Sequence, residues 1–278
     1  AEELFKRLFD VFNNEMMSKN NVEIVGVGVG APNGNYYNST IANPPNLNWG
    51  LVNVNELIKK YIDVPVAVTN DANAAALGEM KFGAAKGMKN FVEITLGTGL
   101  GSGIVVNGDL VYGHDGFAGE LGHTNVKPNG RLCGCGNKGC LETYVSAPGI
   151  KRTVFKLLSI VKSESNLRDV SFNKLDSKMI YDAARSGDII ALEAFDYTAR
   201  VLGLALADTV AYLSPEAIIL FGGLANAGDL IIAPVKHYME ENLFGVFKDK
   251  VKVIPSGLPE GDAAILGSSA LIWHEIKK

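Results

Sequence analysis

A chain of 278 residues, 47% hydrophobic and 20% charged, has material for one large domain or two medium ones. Its net charge of −4 argues against nucleic acid as a partner, because phosphate binding needs clustered Lys and Arg. No apolar run nears the roughly 18 residues of a membrane helix, and no signal-peptide pattern opens the chain, so the cytoplasm is the expected location.

The first residues already follow a helical pattern, with Leu4, Phe5, Leu8, Phe9, Phe12 and Met16 on one face. Ile24–Gly30 reads as a buried strand ending in the turn Pro32-Asn33-Gly34, and residues 35–50, rich in Asn and Pro, read as loop. Val54–Tyr61 is predicted helical and Val64–Thr69 extended. Asn70-Asp71 then caps an Ala-rich helix running to about Ala85. Lys86–Asn90 is the best candidate boundary between domains.

Phe91–Leu96 is a predicted strand. It passes through Gly97-Thr98-Gly99-Leu100-Gly101 into a second strand at Ile104–Val106, with a hairpin turn at Asn107-Gly108 and a return strand at Leu110–Tyr112. Residues 113–145 read as a loop. Helices are expected near 147–162, 177–186, 191–213 and 229–242, with Ser163–Lys174 a mobile polar connection. Strands are expected at Ile218–Phe221 and Val251–Pro255, and a last helix at Ala263–Ile276, free to return to the first domain. This alternation predicts an α/β protein with a mixed sheet. The expected division is 1–89 plus 264–278 as an N-terminal domain and 90–263 as a C-terminal one, the latter holding the loop 113–145.

All three cysteines fall in Cys133-Gly134-Cys135-Gly136-Asn137-Lys138-Gly139-Cys140. Three thiols cannot all pair within one chain, and the spacing is not that of a redox CxxC motif. With His123, the nearest upstream histidine, they supply the four donors that structural zinc prefers. The competing reading is a loop of free thiols; free cysteines, however, are usually buried as small hydrophobes, and these lie among Gly, Asn and Lys.

Asp71 stands between a strand and a helix, where it can serve as an N-cap, as a general base, or as both. Glu120 and His123 lie in Gly119-Glu120-Leu121-Gly122-His123, and Glu142 follows Cys140 closely. Carboxylates beside an imidazole suit a polyhydroxylated ligand; either glutamate alone reads equally well as a solvated charge. The turn Gly97–Gly101 joins two strands and so is no dinucleotide fingerprint, but its N–H groups and the Thr98 hydroxyl can face phosphate. Gly222-Gly223 would let a nucleotide approach the backbone, although ordinary turns use the same residues.

Taken in order, Gly28–Gly34, Asn70–Glu79, Leu96–Gly103, Gly119–His123 with Cys133–Glu142, and Gly261–Gly267 resemble the ROK family of sugar kinases and sugar-responsive repressors. The resemblance spans nearly the whole chain. It implies an actin-like ATPase fold, with two ribonuclease-H-like domains around a cleft. It implies ATP-dependent phosphorylation of a hexose, glucose first, with Asp71 as the general base. Asn70, Asp71, Glu120, His123 and Glu142 would contact the sugar, and Thr98, Gly99, Gly222 and Gly223 the ATP, which Mg²⁺ would accompany. His123, Cys133, Cys135 and Cys140 would hold structural zinc, and the protein would be a homodimer. N-acetylmannosamine, fructose and allose are alternative substrates.

The family's opening strand, with its Asp-x-Gly-Gly-Thr phosphate motif, has no counterpart here. The expectation is therefore an N-terminal domain lacking its first strands, with catalytic competence a property of the longer parent. A sugar-sensing repressor is the second reading; retention of Asp71 and the Thr98 turn favours the kinase. A zinc-ribbon nucleic-acid module would explain the cysteines but nothing else.

Overall fold

A computed structural model of the chain describes residues 1–17, 23–44, 47–259 and 261–277. In chain order the elements are α1 (Glu2–Phe12), β1 (Val27–Gly30), β2 (Gly34–Asn35), β3 (Thr40–Ala42), β4 (Leu51–Asn53), α2 (Val54–Lys59), β5 (Val66–Thr69) and α3 (Asp71–Phe82). Then follow β6 (Phe91–Leu96), β7 (Leu100–Val106), β8 (Asp109–Leu110), α4 (Ala147–Ile160), α5 (Ser177–Arg185), α6 (Ile189–Leu213), β9 (Ala217–Phe221), α7 (Ile232–Asn242), β10 (Lys252–Pro255) and α8 (Ala263–Ile276). The chain forms two compact units, one of Ala1–Lys86, Leu110–Ala118 and Leu258–Lys278, the other of Gly87–Asp109 and Gly119–Gly257.

In the first unit β1 pairs in parallel with β5, Val27 opposite Val66 and Gly30 opposite Thr69. The Val-Gly alternation of β1 divides its two faces. Val27 and Val29 pack on the cluster of Phe5, Phe9, Ile41, Leu57, Ile58 and Val68. The glycines face α8: a methyl on Gly28 would lie 1.9 Å from the Ser268 carbonyl oxygen, and one on Gly26 2.6 Å from Ile272. The Ala-rich sequence of α3 has the same cause. Ala72, Ala74, Ala75 and Ala76 are all buried, and a methyl on Gly267 of α8 would lie 2.3 Å from the Ala74 carbonyl oxygen. Small residues let the two helices meet backbone to backbone.

Residues 35–50 are not simply loop. β3 pairs antiparallel with both β2 and β4. The asparagines that suggested a loop hold the turns of this small sheet: Asn35 Oδ1 accepts the N–H groups of Tyr37 and Asn38, and Asn33 Nδ2 donates to the Ala42 and Asn43 carbonyls. Segment Leu110–Ala118 also groups with this unit, although the sequence reading placed the whole 113–145 loop in the other. Tyr112 leaves the expected return strand and stacks on Tyr36, centroids 3.9 Å apart, while Asn35 Nδ2 donates to the Asp115 carbonyl at 2.6 Å. Burial raises the Tyr112 phenol well above its ordinary range.

The second unit is built on a five-stranded sheet in the order β10-β9-β6-β7-β8. β6 is parallel to β9 and antiparallel to β7, the mixed sheet expected. In the connection Ser163–Lys174 the Arg168 guanidinium donates to the carbonyls of Leu158, Val161 and Ser163 around a helical turn at Asn166–Asp169.

Candidate functional site

In the first unit, Asn70 and Asp71 separate two roles that the sequence left merged. The helix cap is Asn70, whose Oδ1 accepts the Asn73 N–H at 2.6 Å. Asp71 is the first helical residue and is exposed; its Oδ1 accepts the adjacent Ala72 N–H, at 3.1 Å. With Asn70 capping the helix, the Asp71 carboxylate sits at the positive end of α3 without being consumed as a cap.

In the second unit, two glycine turns emerge side by side. β6 and β9 are parallel neighbours, so Gly97-Thr98-Gly99 and Gly222-Gly223 leave adjacent carboxyl ends of the sheet, where α/β proteins commonly bind ligands. The first turn is a tight hairpin, closed by Gly97 N–H to Gly99 carbonyl at 3.0 Å, and Thr98 is exposed. Gly222, at φ +96°, lies against the other turn's strand: a methyl there would be 2.8 Å from the Leu96 carbonyl oxygen, which also accepts the Leu224 N–H.

His123, Cys133, Cys135 and Cys140 converge, their donor atoms all within 4.8 Å of one another. Left-handed turns at Gly136 and Gly139 fold the loop back on itself, with Cys133 N–H donating to the Asn137 carbonyl and Gly139 N–H to the Arg131 carbonyl. Cys135 Sγ is 3.7 Å from Cys140 Sγ, and Cys133 Sγ is 3.7 Å from His123 Nδ1. A zinc tetrahedron with Zn–S of about 2.3 Å has edges of about 3.8 Å, so spacing and donor chemistry both fit that ion. Burial pushes the Cys133 thiol up to about 12 and raises Cys140, while the backbone N–H of Asn137 lowers Cys135. A bound cation would displace those protons.

The same loop carries Glu142 and Glu120. Glu142 Oε2 accepts the Leu100 N–H at 3.0 Å, joining the cysteine loop to the glycine hairpin, and a methyl on Gly99 would lie 2.4 Å from that oxygen. Its Oε1 is 3.7 Å from Cys133 Sγ. Glu120 is exposed, in a turn held against β7, where a methyl on Gly122 would lie 2.3 Å from the Leu100 carbonyl oxygen.

Arg131 escaped the sequence reading. Its guanidinium donates to the Thr143 and Gly149 carbonyls and to Thr153 Oγ1, and lies 4.5 Å from the Tyr144 ring centroid. It thereby fastens the cysteine loop to the start of α4. Burial lowers its pKa. The one available signal was a lone Arg beside the cysteines with no acidic neighbour in sequence.

The ROK family model matches residues 2–275. The chain belongs to the ROK family. Among its ROK relatives is a glucokinase of Streptomyces coelicolor, 40% identical over 228 residues that cover 80% of this chain and 72% of the relative. Another is a xylose repressor of Bacillus spizizenii, 30% identical over 251 residues, covering 90% of this chain and 62% of the repressor. Among solved structures, a ROK family glucokinase from Streptomyces griseus in complex with glucose and AMPPNP superposes with a TM-score of 0.81 at 32% identity, covering 98% of this chain and 88% of that one. The actin-like ATPase fold expected from the sequence is the fold these ROK structures share with the chain.

Proposed function

We propose that the protein is an ATP-dependent hexose kinase acting on glucose, with Asp71 as the general base. The observation that carries this reading is the glucokinase relative at 40% identity, supported by the likeness to a ROK glucokinase holding glucose and an ATP analogue. Phosphoryl transfer asks the protein for positioning and charge neutralisation more than for covalent chemistry. Asp71, not used as a cap, accepts the proton of the attacking hydroxyl. Asn70, Glu120, His123 and Glu142 hold the sugar hydroxyls. Thr98, Gly99, Gly222 and Gly223 take the ATP phosphates and nucleoside, with Mg²⁺ accompanying the nucleotide. Zinc on His123, Cys133, Cys135 and Cys140 would keep the loop bearing Glu142 in shape. Nδ1 is the ring nitrogen nearest Cys133, which leaves His123 Nε2 for a hydroxyl.

Residues 1–89 with 264–278, and 90–263, are proposed as the two domains, apart from Leu110–Ala118 and the residues from Leu258, which group with the first unit, in a cytoplasmic homodimer. No helix among the described residues is long and apolar enough to cross a membrane. The likeness to a xylose repressor favours a second reading, a sugar sensor that binds its ligand without turnover. ADP release by the full-length protein across glucose, N-acetylmannosamine, fructose and allose separates the two. Turnover highest with glucose is expected; hexose binding without ADP release selects the sensor.

A further inference from the structure

Glu120 is the apex of an inverse γ-turn. Its backbone angles are φ −79° and ψ 56°, and the Leu121 N–H reaches back to the Gly119 carbonyl at 2.9 Å. Three-residue turns of this kind are weak on their own. Here one side chain spans it: the Ser102 hydroxyl donates to the Gly119 carbonyl and accepts the Leu121 N–H at 3.2 Å. Both bonds flank Glu120, one on each side.

Ser102 lies in the middle of β7, opposite Ile94, and is 2% exposed. A hydroxyl buried at that depth must find partners within the protein, and Ser102 finds them at the two ends of this turn. The neighbours Gly101 and Gly103 carry no side chain at all. Backbone pairing of β7 with β6 does not use the Ser102 hydroxyl, whose hydrogen bonds fall on the Glu120 turn rather than on the sheet.

We propose that Ser102 is a positioning residue for hexose binding. Its hydroxyl clamps the γ-turn and so fixes where the Glu120 carboxylate stands, without touching the sugar. The inference rests on the reading of Glu120 as a sugar contact. Its signature is selective: loss of the clamp weakens hexose binding and leaves the nucleotide alone.

The test is steady-state kinetics and hexose calorimetry on the full-length protein. Ser102→Ala is expected to raise the hexose KM and Kd about tenfold, the scale of one buried hydrogen bond, with the ATP KM within about twofold of wild type. Ser102→Thr, which keeps the hydroxyl, is expected to recover most of the loss. In a Glu120→Ala background the same Ser102→Ala change is expected to cost less than about twofold, because the clamp then has nothing to aim. An unchanged hexose Kd in Ser102→Ala overturns the clamp, as does a parallel rise in both KM values, which marks a merely structural role. A full cost retained in the Glu120→Ala background overturns the route through Glu120. Wild-type protein that neither binds nor phosphorylates any hexose overturns the kinase reading itself, and the clamp's purpose with it.

Discussion

The carboxylate of Glu142 accepts the backbone N–H of Leu100 at 3.0 Å, and that bond joins the cysteine loop to the glycine hairpin. A carboxylate has roughly four lone-pair positions, so this bond leaves capacity for a sugar hydroxyl. Removing the side chain therefore disturbs two ligands together. Glu142→Ala is expected to raise the KM for hexose by more than about tenfold and the KM for ATP by about threefold, because a charged hydrogen bond is worth up to about twice a neutral one. An ATP KM that stays at the wild-type value would show that the hairpin does not depend on Glu142.

The thiols and imidazole are already grouped at zinc-like spacing. Elemental analysis should find close to one zinc per chain. Cys135→Ser, at the exposed one of the three thiols, should lower both zinc content and glucose affinity, since Glu120 and Glu142 flank the loop that the metal shapes. Stably folded, metal-free protein that binds glucose normally would contradict the assignment. Chelation at falling pH should strip the ion more readily, because protons compete for the same thiolates.

Glu216 offers a test in a region remote from any proposed ligand. It accepts the N–H groups of Lys89 and Asn90 at 2.8 and 3.0 Å, and those bonds hold its carboxyl below the ordinary glutamate range. A carboxyl whose pKa is lower in the folded state stabilises the fold above its unfolded pKa, and that stability is lost as pH falls through the folded value. Glu216→Ala is expected to cost up to about 1 kcal/mol near neutral pH, modest because the residue is exposed, and the deficit should shrink as the pH falls through the range in which the carboxyl takes up its proton. Denaturant titrations at several pH values measure it; a deficit that grows on acidification would reverse the sign.

What could be read from the sequence depended on how far apart the partners lie. The cysteine cluster was legible because its three thiols fall in one short window with a histidine just upstream. The strand at β1 was legible from its valines, but the reason for its glycines was not, since Gly28 meets Ser268 from the far end of the chain. The small sheet at Gly34–Asn53 was hidden because its turns are built from asparagines, and composition reads those as loop. Asp71 looked like a cap because either neighbour could fill that role, and only geometry shows Asn70 doing it. Arg131 and Ser102 left little trace: their partners are backbone carbonyls and amides, which every residue carries.

The glycines between β1, α3 and α8 should tolerate no side chain. A methyl at Gly28 would sit 1.9 Å from the Ser268 carbonyl, and one at Gly267 2.3 Å from that of Ala74; both obstacles are backbone, which cannot rotate away. Gly28→Ala and Gly267→Ala are each expected to destabilise the first unit by about 2–3 kcal/mol, read as a lower denaturation midpoint with an unchanged slope. Gly87, by contrast, has nothing within 4 Å of where a methyl would go, but its φ of +83° makes alanine costly by strain alone, about 1 kcal/mol. If the two contact glycines cost no more than Gly87, the close approach of α8 to β1 and α3 is wrong.

The base assignment makes the sharpest demand on Asp71. Because Asn70 caps the helix, Asp71→Ala should leave α3 intact, with stability within about 0.5 kcal/mol of wild type. The same change should abolish hexose phosphorylation in the full-length protein, by about 10³-fold or more, because a positioned general base contributes about 10²–10⁴-fold. Glucose binding should remain measurable by calorimetry, since Glu120, His123 and Glu142 are untouched. Loss of rate with binding preserved separates a proton acceptor from a sugar anchor; turnover retained in Asp71→Ala would sink the assignment, and loss of folding would return the residue to a structural role.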